Sequence, residues 1–276
     1  MAVFATLAQA ADLIVASGAR VELPAGLDRL DYDLLRIEAN GSLVIPESYA
    51  GRKLTVRANR FEAFGGTRLY QVFSNRARTG GTGGPGLQPD YGQTGGEGGS
   101  GGRGIAGTDT VELTLELGIA KLGDFTLLLR SQAGGHGGRG GKGGLGGGSR
   151  CGLSKGNGDP GGSGGPGGAG GDGAAPGNIR PLTLRWWPVG SHIPHFRSGQ
   201  PVQLDVILQS GQGGWGGPQG VPGNGHGGKG CGCAFGKCTW DMPSGSAGTV
   251  FGAPGKPYPE TGALAQPRFE ALEFAQ

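Results

Sequence analysis

Four cysteines are the residues of this chain with the clearest potential for chemistry. Cys231, Cys233 and Cys238 form a cluster, and Cys151 lies far upstream. Two disulfides or one four-thiolate zinc site would use all of these thiols. The spacing lacks the paired Cys-Xaa2-Cys knuckles of zinc ribbons, which favours disulfides over zinc, and free buried thiols are the third alternative. We expect no other cofactor.

A column of basic residues is the second candidate site. His136, Arg139 and Lys142 recur at every third position. In a helix with three residues per turn they would share one side, about 9 Å apart. Such a column could contact acidic polysaccharide or phosphate-bearing lipopolysaccharide, and a solvated edge is the alternative. The net charge of +3 is too small to predict nucleic-acid binding.

Exposed side chains at interruptions of the glycine-rich runs are candidate contacts with a receptor. Aromatic residues there either anchor sugars and protein partners or cap the ends of the runs. The candidates are Leu87, Asp90, Tyr91, Arg150, Lys155, Trp215 and Phe235.

Catalytic motifs are missing from the sequence. Matches to Gly-Xaa-Gly-Xaa-Xaa-Gly carry no information in a chain with 66 glycines among 276 residues. Gly141-Lys142 is followed by glycine rather than by the Ser or Thr of a phosphate loop. The histidines fit no hydrolase or zinc-protease motif. We therefore expect a protein that is not an enzyme.

The elements that would position these candidates are glycine runs with a period of three. Gly-Gly-Xaa repeats occupy residues 80–107, 134–177 and 211–236, and less regular repeats continue to residue 255. Collagen also has glycine at every third position, but it needs more proline than the 18 present here. The repeats instead favour polyglycine-II helices, because residues without Cβ let neighbouring backbones approach and form hydrogen bonds.

Interruptions of the runs predict tips. Residues 87–91 would separate an outgoing stretch from a returning one, and residues 149–157 would do the same in the second run. The glycine runs are therefore expected to form long protrusions that fold back on themselves.

Strand-like segments lie between the runs. Residues 111–117 alternate apolar and polar side chains, and residues 125–129, 182–186 and 202–208 each place apolar residues on one face, Trp186 among them. The predicted fold class is all-β with a polyglycine-II helix bundle. In it, a β framework, either a sandwich or a solenoid, carries glycine-rich hairpin protrusions.

Domain boundaries follow from composition. Residues 1–75 have almost no Gly-Gly pairs and predict a β attachment or assembly domain, in which Asn40-Gly41 predicts a two-residue hairpin. Strand pairs alternate with glycine rods over residues 76–262, and residues 263–276 form a C-terminal tail. The N-terminal residues lack the pattern of a secretion signal or a membrane span.

The domain order and the repeats resemble the tail-fibre adhesins of T-even-like phages. The resemblance covers residues 80–107, 134–177 and 211–236 and rests on repeat pattern alone. It implies a stacked polyglycine-II sandwich whose loops touch host receptors. The interposed strands and the cysteine cluster depart from that family. Glycine-rich insertions on a β base also resemble the N-terminal domain of Obg-type GTPases, although no GTPase motifs follow.

We therefore expect a virion structural and adhesive protein, made in the host cytoplasm, that belongs to an oligomeric assembly. Its expected partners are other virion or fibre subunits, through the N-terminal region, and a host polysaccharide or outer-membrane protein. Nucleic-acid binding and membrane insertion are not expected. A bacterial extracellular fibre or matrix subunit is the alternative, and an Obg-like accessory module is the third.

Overall fold

The computed structural model describes residues 11–73, 75–148, 162–190, 196–197, 200–201, 203–226, 244–258, 262 and 266–272. These residues are mostly strands and extended segments, and the helical element among them is one 3-10 turn, Glu47–Tyr49. The strands are β1 (Ala11–Val15), β2 (Arg20–Glu22), β3 (Arg29–Ile37), β4 (Ser42–Val44), β5 (Lys53–Ala63), β6 (Thr67–Val72), β7 (Glu112–Leu122), β8 (Phe125–Arg130), β9 (Leu182–Pro188), β10 (Phe196–Arg197), β11 (Gln200–Pro201), β12 (Leu204–Gln209) and β13 (Arg268–Ala271).

Two parallel sheets contain all of these strands except β10 and β11, which form a separate antiparallel pair, so the all-β prediction is confirmed. Sheet A has the order β1-β3-β5-β7-β9-β13, and sheet B has the order β12-β8-β6-β4-β2. All the pairs within both sheets are parallel. The chain therefore passes from one sheet to the other and back, adding one strand to each in turn. Strands from residues 11–72 and strands beyond residue 111 belong to the same two sheets.

The Asn40-Gly41 hairpin prediction was wrong. Asn40 does adopt the left-handed conformation, with φ of 59°, that such a turn requires. However, β3 lies in sheet A and β4 lies in sheet B, so the two strands do not pair. The turn forms a corner between the sheets. The strands that precede the three glycine runs are likewise divided between the sheets: β5 with β6, β7 with β8, and β9 with β12.

The hydrophobic core lies between the sheets. The alternation in β7 and β8 places leucines inward, including Leu115 and Leu127, and both are buried. Phe61 of sheet A and Phe125 of sheet B meet edge to face, with ring centroids 5.3 Å apart. Trp186 is buried in the same core, as the sequence predicted.

Three glycine-rich excursions leave sheet B and return to sheet A. They follow β6, β8 and β12 and precede β7, β9 and β13. Outgoing segments 1, 2 and 3 are residues 77–87, 133–148 and 211–226, and returning segments 1, 2 and 3 are residues 93–107, 162–177 and 244–258. We call these six segments the glycine bundle.

Backbone hydrogen bonds connect the bundle at every third residue. Outgoing segments run parallel to one another, with donor–acceptor distances of 2.8 to 2.9 Å between segments 1 and 2. These bonds run from Gly80 to His136, from Gly83 to Arg139 and from Gly86 to Lys142. Returning segments form an equivalent row, as in the bonds from Gly95 to Ser163, Gly98 to Pro166 and Gly101 to Ala169. Each segment is thus tied to its successor in the same row.

The two rows are also bonded to each other, in antiparallel fashion. The amide of Gly99 donates to the carbonyl of Gly84 at 2.8 Å, and the amide of Gly168 donates to Gly141 at 2.8 Å. Backbones approach so closely that a Cβ built at Gly140 would lie 2.0 Å from the carbonyl oxygen of Gly168. Glycine is therefore required at these inner positions.

The rows of the bundle continue the ladders of the sheets. Beyond β8, the amide of Ser131 bonds the carbonyl of Gln209, and just past the sheet the amide of Gly134 bonds Gln212. The Ser131 side chain is buried at this junction, where it also accepts the amide of Gly211 at 2.8 Å. Sheet B therefore passes into the outgoing row without a break in its lateral bonds.

Candidate functional site

The far end of the bundle is held together by backbone bonds across its segments. Gly147 donates to Gln93, Gly162 to Gly147, and His226 to Gly162, at 2.8 to 3.0 Å. Gly245 donates to His226 at 2.8 Å. The ends of five different segments therefore form one surface, which we call the distal surface.

The first tip contributes exposed side chains to the distal surface. Leu87 is 82% exposed and Tyr91 is 57% exposed, and Asp90 beside them is also exposed. Gly92 adopts the left-handed conformation, with φ of 72°, and its amide donates to the carbonyl of Gly148 at 2.7 Å. The tip is thus bonded to the end of outgoing segment 2.

His226 belongs to the distal surface and was missed by the sequence reasoning. A Cβ built at Gly148 would lie 3.6 Å from the ring of Tyr91 and 3.8 Å from the ring of His226. The rings of Tyr91 and His226, from different excursions, therefore lie on either side of Gly148. The third-position periodicity of the run could not reveal His226, because the register between the excursions is set by the sheets.

Several predicted site residues lie outside the described residues. Among the proposed contacts these are Arg150, Lys155 and Phe235. The disulfide or zinc candidates Cys151, Cys231, Cys233 and Cys238 also lie there. Their pairing or ligation stays a prediction.

The basic column lies on the outer side of the outgoing row, but its members differ. Arg139 and Lys142 are exposed. His136 instead accepts the backbone amide of Trp215 at its Nδ1 atom, at 2.8 Å. Burial, and secondarily the charge of Arg76, lowers the pKa of His136. The column therefore presents two cations and one imidazole that favours its neutral form.

Trp215 lies beside this column on outgoing segment 3. Its side chain is 67% exposed, and its amide is fixed by the bond to His136. Leu145 and Val221 are also exposed on this row. The side face of the bundle is therefore mixed, with apolar and basic groups next to one another.

A ladder of alternating charge crosses the outer face of sheet A, and the sequence analysis did not find it. Its members occupy one register position across five neighbouring strands: Asp31, Arg57, Glu116, Arg185 and Glu270. Opposite charges directly across a strand pair stabilise a sheet. The signal was hidden because the partners are separated by many residues along the chain.

Ion pairs satisfy much of this ladder. Arg185 bonds Glu270 at 2.8 Å and Glu116 at 3.2 Å. The bond from Arg185 lowers the pKa of the Glu270 carboxyl. Together with Trp187 and Leu272, these side chains line a shallow depression of about 360 Å³. The charges there are mostly paired with one another, which fits a structural role.

Within the described ranges, no group of three or more His, Cys, Asp or Glu side chains is placed to hold a metal ion. No helix in that part of the chain is long and apolar enough to cross a bilayer.

Comparisons with known proteins give no family. No protein-family model matches the chain, and no curated protein matches it. Among solved structures, one similar protein is a springtail antifreeze protein from Granisotoma rainieri, a bundle of nine polyproline type II helices. It is 21% identical, over 70% of this chain and 91% of that protein. The TM-score is 0.14, so the two structures do not share an overall fold by this measure.

Proposed function

We propose that the chain is a non-enzymatic structural and adhesive protein, in which a β-solenoid carries six polyglycine-II helices that present the distal surface to a host cell. Lateral bonds at every third residue support the helix type, since this helix has three residues per turn and no internal hydrogen bonds. Strands that alternate between two parallel sheets are typical of a solenoid, in which each turn contacts its neighbours.

One observation carries the adhesive role. Exposed Leu87 and Tyr91 lie at the far end of a bundle whose segments are bonded to one another there. A rigid platform lowers the entropy lost when its side chains bind a partner. Exposed aromatic groups provide large contact areas with few rotatable bonds.

We place this activity in a phage tail fibre or a tail-associated component. The host partner would be a cell-surface polysaccharide or an outer-membrane protein, and the N-terminal region would join other virion subunits. No cofactor is required for binding of this kind. The protein would be made in the host cytoplasm and assembled into the virion.

Binding of labelled full-length protein to a panel of bacterial cells tests the proposal. We expect saturable binding to the host strain, and a Leu87→Ser/Tyr91→Ala variant should lose at least about tenfold in affinity if both side chains contact the receptor. Val250→Ser is the matched control, because Val250 is 61% exposed and its carbonyl accepts the amide of Gly167, away from the bonds that define the distal surface. Equal binding by the tip variant and the wild-type protein contradicts the adhesive role.

An extracellular fibre or matrix subunit is the second candidate. Sheet A ends in β1 on one side and in β13 on the other, and among the described residues each of these strands pairs along one edge. Exposed edges of this kind are templates for pairing with another chain. Electron microscopy of the purified protein distinguishes the candidates: long filaments without cell binding favour the fibre, whereas discrete particles that bind cells favour the adhesin.

A further inference from the structure

The two edges of the glycine bundle differ, and the difference points to a binding partner. Inside the bundle, each Gly-Gly-Xaa unit connects two neighbours. In outgoing segment 2, the amide of Gly140, the first glycine of its unit, donates to Pro218 of outgoing segment 3. The amide of Gly141, the second glycine, donates to Gly99 of the preceding pair. In an outgoing segment, the second glycine therefore bonds to the pair of outgoing and returning segments that comes before its own in the chain.

Pair 1, made of outgoing and returning segments 1, has no preceding pair. Gly81 and Gly84 are the second glycines of outgoing segment 1, and a Cβ at either would meet nothing within 4 Å. The equivalent Cβ at Gly138 would lie 2.0 Å from the carbonyl of Gly81. Glycine is thus retained at Gly81 and Gly84, although no described residue requires it.

Backbone groups along this edge are left without partners in the described structure. The amides of Gly81 and Gly84 donate to no described residue. Carbonyls of the third position accept bonds in pair 2, as His136 and Ser163 do. Their counterparts in pair 1 have no such donor among the described residues: Thr82, Pro85, Glu97, Ser100 and Arg103. The edge therefore has the hydrogen-bonding pattern of an unpaired edge strand.

The opposite edge carries side chains along its returning row. In returning segment 3, the second-glycine position is kept at Gly248, Gly252 and Gly255, which donate to outgoing segment 3. The residues just before them, at the first-glycine position, are Ala247, Phe251 and Pro254. Proline has no amide hydrogen and cannot donate to a further segment. The chain thus places side chains along this exposed row. Exposure alone therefore does not explain why positions 81 and 84 are glycine.

Large apolar side chains lie at both ends of the open edge. Leu87 occupies the next position after Gly81 and Gly84 in their three-residue period. Ile105 likewise occupies the next position after Gly99 and Gly102 in returning segment 1. They are 82% and 52% exposed. Exposed leucine and isoleucine beside unpaired backbone groups are typical of a surface that a second polypeptide covers.

We propose that this open edge, residues 78–87 with residues 96–105, binds a Gly-Gly-Xaa segment of a separate protein chain, which adds to the bundle as a further pair. The incoming segment would supply amides to the free third-position carbonyls, as outgoing segment 1 does for segment 2. A second copy of this chain fits less well. Two copies of the open edge both offer mostly acceptors. On the opposite edge, Pro222 and Pro254 lack the amide hydrogen at two of the first-glycine positions, so a second copy would satisfy the free carbonyls only in part.

A peptide with the sequence of residues 78–106 is the probe, because pair 1 is what covers the equivalent face of pair 2. Full-length protein should bind the fluorescently labelled peptide saturably. Gly81→Ala/Gly84→Ala should weaken that binding at least about tenfold, since a Cβ at the equivalent inner glycines overlaps a neighbouring backbone. The melting temperature of this variant should not fall, because neither new methyl group meets a described residue.

Ala247→Val on the opposite edge is the control and should bind the peptide as the wild-type protein does. No binding to the wild-type protein, or equal binding to the double alanine variant, overturns the proposal. Analytical ultracentrifugation examines the second-copy alternative. A dimer that becomes a monomer in the double alanine variant would assign the edge to self-association and overturn the assignment to a separate chain.

Discussion

The two sheets and the glycine bundle use the same lateral ladder but fill their interiors in opposite ways. Between the sheets, Phe61, Leu115 and other apolar side chains occupy the space and are buried. In the bundle, backbones such as those of Gly140 and Gly168 occupy it directly. Tolerance to substitution is therefore inverted: the sheets should be damaged by removing atoms, and the bundle by adding them.

The largest effect is expected from truncation in the sheet core. Phe61 is 1% exposed and contacts Phe125 across the two sheets. Phe61→Ala should lower the free energy of unfolding by about 3–5 kcal/mol, because it leaves a cavity. Chemical denaturation measures this loss, and Leu87→Ala on the exposed tip is the control. A loss below about 1 kcal/mol would show that the core is not packed as described.

A branched side chain inside the bundle should have the next largest effect. A Cβ at Gly140 would lie 2.0 Å from the carbonyl oxygen of Gly168. Gly140→Val should therefore destabilise the protein by about 3 kcal/mol, the upper part of the range for overpacking. Hydrogen exchange should show lost protection in the bundle and retained protection in the sheets.

Gly84→Val is the matched control for that experiment, since a Cβ at Gly84 meets nothing within 4 Å. It should change stability by no more than about 0.5 kcal/mol. Wild-type stability of Gly140→Val would refute close backbone packing and, with it, the contrast between the two regions.

A smaller effect is expected at a buried charge on sheet A. Glu62 is 4% exposed and is bonded by Arg36 at 2.6 Å and by Arg60 at 2.7 Å. Burial by itself raises the pKa of Glu62, but the bonds from Arg60 and Arg36 outweigh it, so the pKa lies below its usual 4.5. The ionised carboxylate thus stabilises the folded state.

Since the folded pKa is depressed, this stabilisation is complete above about pH 4.5 and is lost as the pH falls through the folded value. Glu62→Gln should cost about 1–2 kcal/mol at pH 7 and should reduce the dependence of stability on pH below 4.5. Denaturation at a series of pH values measures both. An unchanged acid profile in the variant would exclude Glu62 as its source.

The smallest effect concerns the side face of the bundle. His136 must be neutral at Nδ1 to accept the amide of Trp215, and its pKa is below 6.5. Acidification through that pKa should break the bond, at a cost of about 0.5 kcal/mol. In an NMR titration, the Trp215 amide resonance should shift with the same midpoint as the His136 ring. Independent midpoints would contradict the coupling.

Much of the fold follows from local patterns, whereas the pairing of elements does not. Alternation over residues 111–117 and 125–129 predicted strands that are present as β7 and β8. A local signal at Asn40-Gly41 correctly indicated a turn but not that the following strand enters the other sheet. Which strands pair depends on burying the apolar faces of the two sheets against each other, and a two-residue turn does not encode it.

The candidate site shows the same limit. The exposed tip at Leu87 and Tyr91 could be anticipated, because an interruption of the glycine repeat marks a reversal. The bond from the Trp215 amide to His136 could not, because the two residues are 79 positions apart and the sheets set their register. The charge ladder through Glu116 and Arg185 was hidden for the same reason.

The unbroken passage of the sheet ladders into the bundle has a mechanical consequence. Bonds such as Gly83 to Arg139 and Gly98 to Pro166 run across the segments rather than along them. A pull on the distal surface, directed along the bundle, would load these bonds in shear and all at once. The force would be shared among the segments and delivered to the sheets through several parallel connections, so that no single loop bears it.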